Sequence, residues 1–257
     1  MASSSINPIA IVGAGPGAED LLTIRAYERL KKAEVLIWTD SLVSPNIAKL
    51  VSKECEKITT SNLTLEEIVE LLINRYQNNK RIVRLHDGDP SLYGAISEQI
   101  CLLKDNNIEV EVIPGISAYQ ATAAELKKEL TIPGIVQTVI LSRAAGITGI
   151  PKKESLERIA SLGGSLCLYL SARHVEEVER ILLEHYDSKT PVAIGYRVSW
   201  DDQFIKIITL DSMAKITKEK GLTRTTLYII SPAFSATRRR SKLYSSSHGH
   251  LFRAKKD

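Results

Sequence analysis

Cysteine is scarce in this chain of 257 residues, and long apolar runs are missing from it. Its three cysteines (Cys55, Cys101 and Cys167) are odd in number and scattered, which is typical of neither a disulfide framework nor a metal site. No run approaches the roughly 18 apolar residues of a membrane span. Residues 1–13 lack the basic and apolar regions of a signal peptide. We therefore predict a cytoplasmic protein with no membrane partner and no bound metal.

The overall composition is that of a folded globular protein. Hydrophobic residues make up 44% of the chain and charged residues 25%, which excludes wholesale disorder. A length of 257 residues suits one large domain or two of ordinary size. Folding at this length buries roughly 70–75% of the surface of the unfolded chain, so the fold requires neither a disulfide nor a metal.

The positive charge of the chain is concentrated near its C-terminus. The formal net charge is +4, but residues 237–257 contain seven basic residues and one acid, a charge of +6, which leaves −2 for residues 1–236. Nucleic-acid-binding domains carry their basic residues on a folded face. Because the body of this chain is slightly acidic, we predict no nucleic-acid partner.

Short apolar runs alternate with amphipathic stretches through the first 130 residues, which is typical of a parallel β-sheet with helical crossovers. The predicted strands are residues 8–13, 34–38, 81–86 and 108–113, and the predicted helices are residues 21–33, 63–77, 92–105 and 118–126. Three helix starts carry capping signals, which are Asp20, the Thr64–Glu67 capping box and Ser117. The first helix is predicted to bury a stripe formed by Leu21, Leu22, Ile24, Tyr27 and Leu30.

Residues 131–151 have the character of a boundary, with two prolines and several glycines around one strand at 136–141. Beyond them we predict helices at 152–161 and 175–186, strands at 165–170, 192–197, 204–210 and 225–230, and a short helix before the last strand. Some of these strands lack a long helix between them, which favours a mixed sheet. We therefore predict two α/β domains, an N-terminal domain (1–130) with a parallel sheet and a C-terminal domain (131–236) with a mixed sheet, followed by a basic extension (237–257).

The loop after the first strand matches a nucleotide-binding pattern. Residues 13–18 read G-A-G-P-G-A, which satisfies the dinucleotide fingerprint G-x-G-x-x-A, and Asp40 ends the second strand where a ribose-binding carboxylate is expected. However, Pro16 removes a backbone N–H from the loop that would bind a pyrophosphate. A nicotinamide-dependent oxidoreductase and a tight turn without a ligand therefore both remain open at this point.

Two further loops follow strands of the same predicted sheet. In HDGDPSLYGA (86–95), Gly88 permits an unusual turn, and Asp89 either faces a ligand at the carboxyl edge of the sheet or merely caps the next helix. In IPGISAYQAT (113–122), Ser117 and Ala118 lie at a helix N-terminus, where backbone N–H groups can meet a carboxylate or a hydroxyl. Three glycine-containing loops at one edge of a sheet favour a crevice that binds a small molecule.

These loops resemble the tetrapyrrole methyltransferases, which use S-adenosylmethionine. The segments that carry the resemblance are GAGPG (13–17), DGDPSLYG (87–94) and IPGISA (113–118). Further segments resemble the branch of that family that methylates the corrin ring in cobalamin synthesis, namely DSLV (40–43), ELTIPGIVQTVILSR (129–143), LCLYLSA (166–172), PVAIGYRVSW (191–200) and RTTLYII (224–230). The resemblance runs from about residue 8 to 234 and continues into the tail, and the order and spacing of its segments make it specific.

The resemblance implies a homodimer of two-domain chains, each holding S-adenosylmethionine in a cleft between its domains. By the same resemblance, the cofactor-binding residues are Pro16, Gly88, Asp89, Leu92, Ser117, Ala118, Leu170, Val198 and Thr225. The substrate would be an anionic tetrapyrrole, whose carboxylates favour arginines, and Arg143 and Arg197 are the candidates. Where members of the branch commonly carry an Arg-Thr-Pro segment after Leu-Ser-Arg, this chain has residues 146–151 (GITGIP), so substrate contacts there do not carry over.

No catalytic base can be named from the sequence. The motifs contain no Cys–His or Ser–His–Asp grouping, which suits methyl transfer because the cofactor already carries the activated group. His86, Asp87 and Asp89 are near enough to the predicted cleft to accept a proton, but each is better explained by structure or cofactor binding. Three alternatives remain open. The chain could methylate a different carbon of the corrin ring from the one its resemblance indicates, it could be a nicotinamide-dependent oxidoreductase, or it could be a non-catalytic ligand-binding protein of the same fold.

Overall fold

The fold comes from a computed structural model of the chain, and the description covers residues 7–145, 149–236, 248–249 and 251–253. The chain divides into two compact units. The first runs to Ala121 and also includes Arg197–Gln203, and the second contains Thr122–Tyr196 and resumes at Phe204. These units are defined by contacts, whereas the predicted domains (1–130, 131–236 and the extension 237–257) are parts of the chain expected to fold independently. The predicted domain limits therefore stay a prediction.

The first unit contains a five-stranded parallel sheet in the order β3-β2-β4-β1-β5. Its strands are β1 (Ile9–Gly13), β2 (Val35–Trp38), β3 (Glu56–Thr59), β4 (Ile82–His86) and β5 (Val110–Ile113). The three central strands are buried along their whole length, as expected for apolar runs that are covered on both faces of a parallel sheet. One buried cluster lies on each face of this sheet, around Leu36 and Leu85 on one side and Ile37 and Ile82 on the other.

Helices α1 (Ile24–Lys32), α2 (Pro45–Ala48), α3 (Leu65–Gln77), α4 (Ile96–Asp105) and α5 (Ala118–Glu125) follow these strands. The Thr64–Glu67 capping box of α3 is confirmed in both directions, and α5 begins directly after Ser117 as predicted. Helix α4 begins later than the predicted residue 92, since Tyr93 and Ala95 adopt left-handed backbone conformations that interrupt a helix.

The predicted start of the first helix is wrong. Asp20 belongs to a 3₁₀ turn at Glu19–Leu21, and the N-cap of α1 is Thr23, whose side chain accepts a hydrogen bond from the Ala26 amide at 3.2 Å. The predicted apolar stripe fails with it, because Ile24 is 81% exposed and Tyr27 is 42% exposed. Leu30 is the predicted stripe residue that is fully buried, and Ala26 lies beside it on the buried face.

Two elements of the first unit were not predicted. Strand β3 pairs with β2 at the edge of the sheet, and three of its four residues are exposed, so its sequence (EKIT) lacks an apolar run. Helix α2 is a single turn that begins with Ser44 as N-cap and Pro45 as first residue. As a consequence, the predicted third and fourth strands are the fourth and fifth along the chain.

The second unit contains a mixed sheet in the order β6-β7-β10-β8-β9, which confirms the predicted fold class. Strands β6 (Val139–Arg143) and β7 (Ser165–Tyr169) are parallel, and the contacts among β7, β8 (Pro191–Tyr196), β9 (Phe204–Thr209) and β10 (Thr226–Ile230) are antiparallel. Helices α6 (Leu156–Ala160), α7 (Val175–Leu183) and α8 (Met213–Glu219) pack on one face of this sheet, around the fully buried Tyr228. Among the helices in the described ranges, none has the length and hydropathy needed to cross a membrane.

Candidate functional site

Three loops of the first unit meet at the carboxyl ends of β1, β4 and β5. The Ala14 amide donates to the His86 carbonyl at 2.7 Å. Gly15 and Gly88 exchange two backbone hydrogen bonds, at 3.1 and 2.9 Å, so the first loop is paired directly with the second. The three glycine loops therefore form one continuous structure at the edge where open α/β sheets bind their ligands.

Glycine is required where these loops touch, because their backbones approach too closely for a side chain. A Cβ on Gly115 would lie 2.1 Å from the Gly88 carbonyl oxygen, and a Cβ on Gly13 would lie 2.6 Å from the Gly115 nitrogen. Gly88 also has a φ of +55°, in the left-handed region that glycine adopts without strain. The three glycines therefore hold the loops in van der Waals contact.

Asp89 links the second loop to the third. One carboxylate oxygen accepts from the Gly115 amide at 2.9 Å, and the other accepts from the Ser91 amide at 2.9 Å and from the Ser91 hydroxyl. Partial burial acts to raise the pKa of Asp89, but the hydrogen bonds from Ser91 and Gly115 outweigh it, and the pKa is lowered. The interpretation of Asp89 as a helix cap is wrong, since the N-cap of α4 is Ala95. Asp89 is an ionised acid at the rim of the loops.

Most amide groups of the first loop are not available to a pyrophosphate. Ala14 and Gly15 donate to protein carbonyls, Pro16 has no N–H, and the Ala18 amide donates to the Ser199 hydroxyl at 2.9 Å. A 3₁₀ turn follows the loop instead of an α-helix, so the dipole of a helix N-terminus is also missing there. These contacts argue against the dinucleotide interpretation. Asp40, its proposed ribose ligand, accepts a hydrogen bond from the Ser61 amide at 3.4 Å.

Residues 197–203 come from late in the chain but belong to the first unit, where they lie on the first loop. The indole nitrogen of Trp200 donates to the Pro16 carbonyl at 2.9 Å, and its ring covers Gly17 so closely that a Cβ there would be 2.2 Å from the ring. Val198 is buried between two left-handed residues, Arg197 and Ser199. The PVAIGYRVSW segment contains Ser199 and Trp200 but assigns them no role, because no local pattern relates residues more than 180 positions apart.

Arg197, a predicted substrate ligand, is engaged within this segment. Its guanidinium forms an ion pair with Asp202 and stacks over the Trp200 ring, 5.1 Å from the ring centroid. Its side chain is 38% exposed. The structure thus places Arg197 beside the first loop, and its role toward a substrate stays a prediction.

A buried polar cluster lies next to the loops on β4. Arg84 is 4% exposed, and its guanidinium donates to the neutral oxygens of Gln99, Ile37 and Thr39 at 3.3 to 3.4 Å. Burial lowers the pKa of Arg84 to about 10. His86 is 5% exposed, and its Nε2 atom makes no hydrogen bond within the described part of the chain. Burial, with the charge of Arg84, lowers the pKa of His86 to about 3, so His86 is a poor general base near neutral pH.

The candidates in the second unit gather at one edge of its sheet. Arg143 ends β6 and pairs in register with Tyr169 of β7, directly before Leu170. The antiparallel pairing of β7 with β10 reaches Leu168 and Tyr228, so Leu170 and Thr225 lie two and three residues beyond its last pair. Leu170 is 64% exposed, and Arg143 donates to the Gly149 carbonyl at 2.9 Å. Of the divergent loop, residues 146–148 lie outside the described residues.

Backbone strain is concentrated at the predicted cofactor positions. Among the described residues, nine that are not glycine have a positive φ, and Asn79, Asn107 and Lys127 each lie two residues beyond the end of a helix. Five of the other six coincide with, or are adjacent to, the predicted positions Leu92, Leu170, Val198 and Thr225; they are Tyr93, Leu170, Arg197, Ser199 and Thr225. A positive φ is a genuine outlier for a β-branched residue such as Thr225. Because strained backbone clusters at binding sites, this pattern supports a binding role for those positions within each unit.

Comparison with known proteins now identifies the class to which this two-domain α/β fold belongs. Residues 8–214 match the family model of the Tetrapyrrole (Corrin/Porphyrin) Methylases. The chain therefore belongs to that family, and the resemblance stated from its loops is confirmed. Among the described residues, no group of three or more His, Cys, Asp or Glu side chains is placed to hold a metal ion.

Individual relatives cover nearly the whole chain. It is 39% identical over 250 residues to the cobalt-precorrin-4 C(11)-methyltransferase of Methanocaldococcus jannaschii, covering 95% of each chain. It is 37% identical to the precorrin-4 C(11)-methyltransferase of Pseudomonas aeruginosa, covering 95% of this chain and 98% of the relative.

Solved structures agree with the sequence relatives. The X-ray structure of a cobalt precorrin-4 methyltransferase matches with a TM-score of 0.84 and 34% identity, covering 88% of this chain and 95% of that one. A uroporphyrin-III C-methyltransferase from Thermus thermophilus, complexed with S-adenosylhomocysteine, has the same fold, with a TM-score of 0.74, 24% identity and coverage of 89% of this chain and 99% of the other.

Proposed function

We propose that this chain methylates C11 of precorrin-4 or cobalt-precorrin-4 in cobalamin biosynthesis, with S-adenosylmethionine as the methyl donor. The single observation that carries the proposal is the similarity, at 39% and 37% identity, to two C11-methyltransferases over 95% of the chain. The strained residues at the predicted cofactor positions support a ligand site there.

The charge of the loops fits this methyl donor better than it fits a dinucleotide. S-adenosylmethionine carries a sulfonium, an ammonium and a carboxylate and is therefore a net cation, whereas a dinucleotide carries an anionic pyrophosphate. At the second loop, hydrogen bonds lower the pKa of Asp89 and keep its carboxylate ionised, whereas burial raises the pKa of the neighbouring Asp87. The ionised Asp89 carboxylate attracts the cationic ligand and repels the anionic one.

The residues that we assign to the cofactor come from both units. Pro16, Gly88, Asp89, Leu92, Ser117, Ala118 and Val198 lie in the first unit, and Leu170 and Thr225 lie at strand ends of the second. Each assignment stays a prediction from the resemblance. A homodimer and a cytoplasmic location stay predictions in the same way.

When bound, S-adenosylmethionine supplies an activated methyl group, which moves from sulfur to the ring carbon by in-line displacement. The contribution of the chain is to hold the two partners in line and to exclude competing nucleophiles. Arg143 and Arg197 are assigned to the carboxylates of the tetrapyrrole. His86 does not serve as the base that removes the proton from the methylated carbon, because its pKa of about 3 keeps it weakly basic.

The decisive experiment follows labelled methyl groups from S-adenosylmethionine into the tetrapyrrole. The chain is incubated with precorrin-4 and, separately, with cobalt-precorrin-4, and the position of the new methyl is read from carbon NMR of the product. We expect label at C11 with at least one of the two substrates. Label at another ring carbon would identify a different corrin methyltransferase.

Calorimetry with S-adenosylhomocysteine and with NAD separates the enzyme classes. We expect binding of S-adenosylhomocysteine in the micromolar range that is common for such ligands and no measurable binding of NAD. Tight binding of NAD together with no binding of S-adenosylhomocysteine would contradict the proposal and favour the oxidoreductase.

A further inference from the structure

Trp200 fixes the most constrained part of the first loop. Its indole N–H donates to the Pro16 carbonyl at 2.9 Å, and its ring occupies the space that a side chain at position 17 would need. Next to it, the Ser199 hydroxyl accepts from the Ala18 amide at 2.9 Å. Three consecutive loop residues, Pro16 to Ala18, are therefore held by two adjacent residues of one distant segment.

The segment that carries Trp200 is itself rigid. The Trp200 amide donates to the Arg197 carbonyl at 2.9 Å, and the Ser199 amide donates to the Gln203 side chain at 2.8 Å. On the ring face, the Arg197 guanidinium lies 5.1 Å from the ring centroid and is held by its ion pair with Asp202. The indole therefore presents its N–H in one orientation, which makes it an effective anchor for the loop.

The first loop has few other means of holding its shape beyond Gly15. Gly15 has a left-handed φ of +69°, and Pro16 cannot donate a hydrogen bond. Without the bond from Trp200, the carbonyl of Pro16 and the flexible Gly17 would gain conformational freedom, and a ligand would have to remove that freedom on binding. This loss of conformational entropy weakens the binding of any ligand that contacts the loop.

We propose that Trp200 is a positioning residue, which orders the Pro16–Gly17 segment for the adenosyl methyl donor. This inference rests on the proposed function, because Pro16 is assigned to the cofactor by resemblance. Trp200 ends the PVAIGYRVSW segment (191–200), to which the resemblance assigned no role for this tryptophan, and the proposed role differs from substrate binding.

Replacement of Trp200 by phenylalanine tests the proposal, since it retains an aromatic ring over Gly17 and removes the N–H. We expect Trp200→Phe to weaken binding of S-adenosylhomocysteine about tenfold in calorimetry, as the loss of one well-aligned hydrogen bond allows. The KM for S-adenosylmethionine should rise by a similar factor, whereas kcat and the KM for the tetrapyrrole should change less than about twofold.

Trp38→Phe is the matched control, because the chain contains two tryptophans and the Nε1 atom of Trp38 makes no hydrogen bond within the described residues. We expect this variant to bind S-adenosylhomocysteine as the wild type does. Ser199→Ala is a second, smaller test, which removes the acceptor of the Ala18 amide and should weaken the same binding about threefold.

The outcomes separate this inference from the proposed function. Unchanged binding of S-adenosylhomocysteine by Trp200→Phe would overturn it, as would an equal rise of both KM values. Should Trp200→Phe fail to fold, the result for Ser199→Ala decides, and unchanged binding by that variant would overturn the inference. If the wild type binds no S-adenosylhomocysteine at all, the proposed function is wrong and this inference is wrong with it.

Discussion

At the scale of single residues, the contact among Gly13, Gly88 and Gly115 leaves no room for a methyl group. We expect Gly115→Ala to lower the free energy of unfolding by about 3 kcal/mol, since its Cβ would lie 2.1 Å from a backbone oxygen that cannot rotate away. Binding of S-adenosylhomocysteine should fall more than tenfold, because Asp89 and the second loop must shift. Urea unfolding and calorimetry measure the two effects.

Gly163→Ala provides the matched control for that substitution. Gly163 has a φ of +63°, but a Cβ at this exposed turn would meet nothing within 4 Å. The cost should therefore be limited to left-handed strain, about 1 kcal/mol, with unchanged ligand binding. Equal destabilisation by both alanines would contradict the role of close packing at Gly115.

His86 makes the stability of the protein depend on pH. Its pKa is about 3 in the folded state and about 6.5 when the chain is unfolded, so between these values the unfolded state binds more protons. The stabilisation is complete above pH 6.5 and is lost as the pH falls toward 3. The free energy of unfolding should decrease from this group alone by up to about 1.4 kcal/mol per pH unit.

The measurement compares the wild type with His86→Gln by urea unfolding at several pH values between 7 and 4.5. Other acids titrate in both proteins, so their contribution cancels in the difference. We expect the wild type to lose stability more steeply than His86→Gln as the pH falls. Parallel curves for the two proteins would show that His86 is not held neutral by burial beside Arg84.

At the scale of secondary-structure elements, the ends of strands in the second unit combine exposure with strain. Leu170, after β7, is 64% exposed and has a φ of +52°. Glycine at this position relieves the strain and removes little buried surface. We expect Leu170→Gly to keep the free energy of unfolding within about 1 kcal/mol of the wild type, and to weaken binding of S-adenosylhomocysteine about fivefold or more.

Lys127→Gly is the control for Leu170→Gly, because Lys127, two residues beyond the end of α5, adopts a similar φ of +53° and is not assigned to the ligand. The free energy of unfolding of Lys127→Gly should also stay within about 1 kcal/mol of the wild type. Its binding of S-adenosylhomocysteine should equal that of the wild type. If Leu170→Gly also leaves binding unchanged, the strain at Leu170 serves no cofactor function.

The elements that were predicted correctly are those with one dominant physical signal. Strands β1 and β2 are continuous apolar runs because both their faces are buried, and the capping box of α3 is entirely local. The start of α1 was misplaced because Asp20 and Thr23 are both good N-caps, and tertiary packing selects Thr23. Strand β3 was missed because an exposed edge strand needs no apolar pattern.

The site was predicted as far as its parts are local in sequence. Each glycine loop follows a recognisable strand, so the contact among Gly13, Gly88 and Gly115 follows from the order of the sheet. Ser199 and Trp200 could not be predicted, since the second half of the chain gives no local sign that residues 197–203 join the first unit. For the same reason, the contact of the Ala18 amide with Ser199, which adds to the evidence from Pro16 against a dinucleotide site, could not be predicted.

At the scale of the whole molecule, the uneven charge distribution predicts that the association with the tetrapyrrole depends on salt concentration. Arg238, Arg239 and Arg240 lie in the basic extension, outside the described residues. Their joint replacement by glutamine should raise the KM for the polyanionic tetrapyrrole about threefold at low ionic strength, because the field that attracts the substrate is weakened. The difference should vanish near 0.5 M salt, where such fields are screened.

The matched control removes the same charge from the surface of the first unit by replacing Lys49, Lys53 and Lys57, which are exposed, with glutamine. The KM of this variant should stay near that of the wild type at every salt concentration, and neither variant should alter binding of S-adenosylhomocysteine. Equal effects of the two triple variants would assign the attraction to net charge and not to the extension.

The bond between Pro16 and Trp200 also has a consequence for biosynthesis. The two residues are separated by 184 positions, and ribosomes add about 5–20 residues per second, so the loop waits roughly 10–40 s for its partner. The strands of the first sheet all emerge long before Trp200 does. A nascent chain can therefore assemble that sheet early, but its first loop gains the bond that completes it only after Trp200 has been translated.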